Sequence, residues 1–163
     1  MIDDAILLAA ETLLQRCRAA GIMLATAESC TGGLIAASLT AIPGSSDVVD
    51  RGFVTYTNAA KTELVGVDPA MIEANGAVSE PVARAMAEGA LARSRAGIAI
   101  SVTGIAGPGG DTPTKPVGLV WFGCAKRGGA TVSLSHVFPG SRAEVRRATV
   151  AEALRLIGSR LAE

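Results

Sequence analysis

Ile22-Met-Leu-Ala-Thr-Ala27, Glu28-Ser-Cys-Thr-Gly-Gly33 and Leu34-Ile-Ala-Ala-Ser-Leu-Thr-Ala41 follow one another without a break. The first is short, mostly apolar and preceded by Gly21, which reads as a buried strand. The second is a turn of small polar residues and glycine. The third is too rich in alanine for a strand, and it ends before Pro43-Gly44, where a helix cannot continue. Strand, tight turn, helix is the local order of an α/β fold.

The flanking segments extend that pattern. Upstream, Ile6, Ala10, Leu13, Leu14 and Cys17 recur at helical spacing between an N-cap at Asp3 or Asp4 and a stop at Gly21. Downstream, Val48–Thr57 contains Val, Phe, Thr and Tyr after the turn residues Gly44-Ser-Ser-Asp47, which predicts a second strand. Asn58 is placed to cap a short helix ending near Gly66. Pro69 opens another, and Ser79-Glu80-Pro81 starts a longer one reaching about Arg93. Gly97–Thr103 is apolar except at Ser101, as a central strand covered on both faces would be. Val117–Ala125 and Thr131–Val137 form a hairpin around Lys126-Arg-Gly-Gly129. Ser141 and Glu144 match a capping box, and Val145, Leu154, Ile157 and Leu161 give the last helix an apolar stripe. The simplest assembly is a single three-layer α/β/α domain, residues 1–163, with a mixed, mainly parallel sheet and a C-terminal hairpin and helix.

Composition narrows the classes of function. The 163 residues carry 15 basic and 15 acidic side chains, so no net field draws the chain to nucleic acid or an anionic membrane. Aromatic residues make up 3%, too few for a single-strand stacking platform. With 49% apolar residues and 19 glycines, the core is built from Ala, Val, Ile and Leu around closely approaching backbones. Cys17, Cys30 and Cys124 lack C-x-x-C spacing and indicate neither a disulfide framework nor a zinc site. The acidic Met1-Ile-Asp-Asp4 is unlike a secretory leader, and no apolar run has the length of a membrane span. A cytoplasmic protein with reduced thiols, without metal or cofactor, is expected. Its size and apolar surface permit a homo-oligomer of unspecified order.

Ser29 sits where a strand gives way to a helix. There a hydroxyl projects from the sheet edge and helix amides favour negative charge. The same residues serve equally well as a Ser/Thr cap with glycines for turn geometry. His136, the only histidine, falls within an apolar strand, which argues against Ser-His-Asp catalysis. A lysine replaces histidine only where its proton affinity is depressed. Lys61, just after Tyr56-Thr-Asn58, is better placed than the loop lysines Lys115 and Lys126. Cys30 offers a rival nucleophile, since thiols at helix N-termini are activated. Thr103-Gly-Ile-Ala-Gly-Pro-Gly-Gly110 presents amides and a hydroxyl to a phosphate, but it is neither a Walker A loop nor a Rossmann fingerprint. Arg142 and Arg146 lie one helical turn apart and could clamp an anion, whereas Arg147 points elsewhere.

Taken together, Thr26-Ala-Glu-Ser-Cys-Thr-Gly-Gly33, Gly44-Ser-Ser46, Arg51-Gly-Phe-Val-Thr-Tyr-Thr-Asn58 with Lys61, Gly76-Ala-Val-Ser-Glu-Pro81, Thr103-Gly-Ile-Ala-Gly-Pro108 and Pro116-Val-Gly-Leu-Val-Trp-Phe122 resemble the CinA C-terminal domain family over nearly the whole chain. The resemblance implies an amidase converting nicotinamide mononucleotide to nicotinate mononucleotide and ammonia through a Ser29–Lys61 dyad, without a metal. Amides around Cys30, Thr31, Gly32 and Gly33 would then hold the oxyanion. Thr103, Gly104 and Ala106 would meet the ribose and phosphate, with Arg142 or Arg146 as counter-charge and Ser46, Tyr56 and Asn58 at the ring end. The alternative is a non-catalytic nucleotide-binding or regulatory module linked to competence or DNA damage.

Overall fold

The computed structural model describes residues 2–163. Helix α1 (Asp4–Ala20) starts on the Asp3 carboxylate, which accepts from the Ile6 amide, and stops at Gly21 in the left-handed region. Strand β1 (Leu24–Glu28) leads through the turn into α2 (Leu34–Thr40), and a 3-10 turn at Ser45–Asp47 precedes β2 (Val49–Val54). Three helices follow, α3 (Asn58–Val65), α4 (Pro69–Asn75) and α5 (Glu80–Ala92). The chain then forms β3 (Ile98–Gly104), the hairpin β4 (Leu119–Lys126) and β5 (Val132–Val137), and α6 (Arg142–Leu161). Both halves of the Ser141/Glu144 capping box are made. At α3 the cap is one residue earlier than expected. Thr57, in extended backbone, accepts from the Ala60 amide, and Asn58 is already helical.

The five strands are ordered β2-β1-β3-β4-β5, which puts β3 at the centre. The sheet is mixed. β1 runs parallel to β2 and β3, while β3–β4 and β4–β5 are antiparallel, so the parallel and antiparallel pairings are equal rather than mainly parallel.

Side-chain alternation gives the two faces different characters. Leu24, Ile98, Ile100, Val102, Val120 and Phe122 pack with α1, α2 and α6 in one cluster. Ala25, Ala27 and Ala99 face the other way, into a cluster with α3, α4 and α5. That second face is thin because its residues are small, so α5 settles almost onto the strands. Ser101 donates to the Ala83 carbonyl of α5 at 2.5 Å, and a Cβ on Gly123 would lie 2.4 Å from the same oxygen. Helix α3 approaches α5 as closely, with the Val65 carbonyl 1.8 Å from where a Gly89 Cβ would stand.

The strand order reverses at β1, whose neighbours are reached by connections running in opposite directions. In such sheets a crevice opens at the carboxyl ends of the strands flanking the reversal. Here it opens at the ends of β1 and β3, beside Ser29 and Gly104.

Gly89→Ala tests the thin face. Alanine gains roughly 1 kcal/mol of helix propensity over glycine, but overpacking against backbone costs about 1–3 kcal/mol. With no room at 1.8 Å, the second effect is expected to win and the urea midpoint to fall with its slope unchanged. An equal or higher midpoint would mean the helices are not this close.

Candidate functional site

Glu28 and Ser29 are adjacent, and alternation sends them to opposite faces of the sheet. Ser29 continues the strand pattern by donating its amide to the Val102 carbonyl at 3.1 Å. Glu28 is 1% exposed and points toward α2. Its Oε1 accepts from the Ile35 amide at 2.8 Å and the Thr31 hydroxyl at 2.6 Å, and Oε2 from the Ala36 amide at 3.0 Å. Thr26 Oγ1 stands 3.4 Å from Oε2. A carboxylate without water needs such donors, and a helix N-terminus supplies both amides and favourable dipole. The cap residue of α2, Gly33, has no side chain to offer. Glu28 takes over that duty from across the turn.

On the other face, Ser29 meets Lys61. The Lys61 side chain is 1% exposed, and its Nζ donates to Ser29 Oγ at 3.0 Å and to the Thr55 carbonyl at 2.9 Å. Thr55 is itself anchored, its amide donating to the Glu28 carbonyl at 2.8 Å. Burial lowers the proton affinity of the Lys61 amine below its ordinary value of 10.5. A hydroxyl in contact with such an amine can pass it a proton, or can relay the amine's donor capacity to a bound acceptor.

Both groups line a cavity of about 210 Å³ together with Cys30, Tyr56, Asn58, Thr103, Gly104, Ala106 and Arg142. Ala77 and Val78 complete the wall; sequence reasoning passed them over because small apolar residues carry no chemical signal. Thr103 donates its hydroxyl to the Ala77 carbonyl at 2.9 Å and so holds that wall in place. Arg142, at the start of α6, bonds Tyr56 Oη and the Gly107 carbonyl, both at 3.0 Å, which sets its charge at the rim.

Other expected site residues lie elsewhere. Arg146 donates to the carbonyls of Cys30 at 3.2 Å and Thr31 at 3.1 Å, bracing the turn from behind. Ser46 precedes β2. Since β2 runs parallel to β1, Ser46 lies at the opposite end of the sheet from Ser29. Thr31 is committed to Glu28, and the Gly32 amide closes a turn onto the Ser29 carbonyl at 3.0 Å. Gly33 lies outside the cavity wall, with the left-handed φ of 107° that the turn demands. Burial pushes the Cys30 thiol up to about 12, so it is no activated thiolate. Among the described residues, no three His, Cys, Asp or Glu side chains gather to hold a metal ion, and no helix is long and apolar enough to cross a membrane.

The sequence pattern of the CinA C-terminal domain matches residues 8–161. The chain belongs to that family. It is 56% identical over 138 residues to a CinA-like protein of Mycolicibacterium vanbaalenii, covering 85% of this chain and 33% of that one. The chain thus spans about a third of the length of the curated relatives it matches. Among solved structures, the competence/damage inducible protein CihA from Agrobacterium tumefaciens superposes with a TM-score of 0.96 at 47% identity, covering 100% of this chain and 99% of that one. The competence damage-inducible protein A (ComA) from Klebsiella pneumoniae does so with 0.93 at 35% identity, covering 97% and 98%.

These comparisons correct the expected activity. The relatives and structural neighbours bear the names CinA-like and competence/damage-inducible, and none of those names is that of an amidase acting on nicotinamide mononucleotide. The expectation of a mononucleotide amidase working through a serine-lysine dyad is therefore withdrawn, and the regulatory alternative is the better supported of the two.

The Lys61 environment has a consequence for stability. Because the folded chain holds this proton less tightly than the unfolded chain, unfolding takes up protons and stability rises with pH between the lowered folded value and 10.5. Thermal melts from neutrality to pH 10 are expected to show the wild-type protein gaining on Lys61→Met as pH rises. A constant gap would mean that the amine is solvated.

Proposed function

We propose that this domain is a ligand-binding, regulatory module of the competence/damage-inducible kind, and that its ligand is a mononucleotide seated over Ser29 and Lys61. The observation that carries this reading is the division of the cavity. Its floor offers the Ser29 hydroxyl and the Lys61 amine to a neutral polar group, and its rim holds the Arg142 guanidinium for an anion. A mononucleotide joins those two chemistries across a ribose. Tyr56 and Asn58 also line the cavity.

Binding without turnover draws support from part of the turn's hydrogen bonding. Acyl transfer needs donors aimed at a developing oxyanion. Here the Ile35 and Ala36 amides serve Glu28, the Gly32 amide serves the Ser29 carbonyl and the Leu34 amide serves the Thr31 carbonyl. Four amides of the turn and the α2 N-terminus, those of Gly32, Leu34, Ile35 and Ala36, are thus taken by the protein itself. The buried, unpaired thiols of Cys17, Cys30 and Cys124 suit a reducing compartment, and the cytoplasm is the proposed location.

Calorimetry with nicotinamide mononucleotide, followed by analysis of the recovered ligand, tests the reading. Saturable binding and an unchanged ligand are expected. Arg142→Ala is expected to weaken affinity about 10-fold or more, since a charge-assisted hydrogen bond contributes about 1.5–3 kcal/mol. Release of ammonia, or no heat at millimolar ligand, would overturn the proposal.

A further inference from the structure

A second polar site lies at the other end of the sheet. The β3–β4 register pairs Ile98 with Lys126 and Gly104 with Val120, so the Lys126–Gly129 turn sits beside the start of β3. Seven strand residues, on the order of 20 Å, separate it from the cavity at Ser29. The turn and the last turn of α6 enclose a cleft of about 410 Å³ lined by Lys126, Arg127, Gly128, Gly129, Arg160 and Glu163, among others.

Arg160 is the anomaly. Its side chain is 3% exposed and permanently charged, yet only Nη2 has a hydrogen-bond acceptor, the Ala130 carbonyl at 2.6 Å. Among the described residues, nothing accepts a hydrogen bond from its Nε or Nη1. Folded proteins leave few buried donors unmet, and an unmatched buried cation is costlier than a neutral one. Glu163 Oε2 approaches Nε to 3.0 Å, near enough to pair charge but off the line of the N–H bond. The other cations of the cleft are already directed. Lys126 Nζ bonds the Arg160 carbonyl and the main-chain oxygen of Glu163, and Arg127 bonds the carbonyls of Leu91, Ser94 and Ala96. The half-exposed Glu163 thus meets Arg160 through its side-chain carboxylate and Lys126 through its main-chain oxygen.

We infer that this cleft is a binding site for a phosphate group, with Arg160 as its principal ligand and the Glu163 carboxylate as the group it displaces. An oxyanion supplies the aligned acceptors for Nε and Nη1 that Glu163 does not. The site is independent of the Ser29 cavity, with which it shares no lining residue.

The test is the rise in melting temperature with inorganic phosphate, measured in Arg142→Ala protein so that the rim of the other cavity does not contribute. A saturable rise is expected. Glu163→Gln removes the competing carboxylate and should lower the half-saturating phosphate concentration at least threefold. Arg160→Met should abolish the rise while leaving the phosphate-free protein as stable as its parent, since a hydrophobic replacement removes the buried donors that lack acceptors. Should Arg160→Met fail to fold, Glu163→Gln decides alone. No saturable rise, or a half-saturation indifferent to Glu163→Gln, would overturn the inference.

Discussion

A buried carboxylate at the end of β1 holds the functional end of this domain together. Buried carboxyl oxygens need donors, and Glu28 finds them at the N-terminus of α2 and in the hydroxyl of Thr31. Meeting that requirement fixes where α2 begins and how sharply residues 29–33 must turn. The glycines at 32 and 33, both at positive φ, are the conformational answer to the same demand. The Glu28 carbonyl, meanwhile, receives the Thr55 amide, and the Thr55 carbonyl receives the Lys61 amine. One residue thus sets the position of Ser29 directly and that of Lys61 through a single intermediate.

The asymmetry of the sheet does the rest. Large aliphatic side chains fill the space under α1, α2 and α6, whereas alanine, serine and glycine line the face under α5. Close seating of α5 and its neighbours brings Ala77 and Val78 against the ends of β1 and β3, closing a small cavity around groups that a thicker interlayer would leave apart. A nearly dry amine follows from that closeness. So does its reduced proton affinity, since burial is the dominant influence on it.

Much of this was legible in the sequence, and the reasons differ from residue to residue. Asp3, Gly21 and the Ser141/Glu144 box act through contacts within one helical turn, so local pattern sufficed. The strand-turn-helix around Ser29 was legible because glycine and alanine content separates turn from helix. The Ser29–Lys61 contact spans 32 residues, and it was approached through the expected placement of both at sheet ends. Glu28 escaped notice because its partners lie seven and eight residues on, beyond any capping rule. Arg142 and Arg146 looked equivalent one turn apart, but a difference in azimuth turns one to the rim and the other to the back of the turn. Ser46 was misplaced because only strand direction reveals which end of the sheet it occupies. The activity was a different kind of error: it came from family resemblance, and the names carried by the relatives do not support it.

The account rests on a cavity whose floor and rim read two ends of one small molecule. A crystal structure of the protein grown with a mononucleotide tests that most directly. The phosphate should lie within hydrogen-bonding distance of Arg142, with the polar ring substituent intact against Ser29 Oγ and the Ser29–Lys61 contact preserved. A ligand bound elsewhere with this cavity unfilled, or an acyl group attached to Ser29, would contradict it.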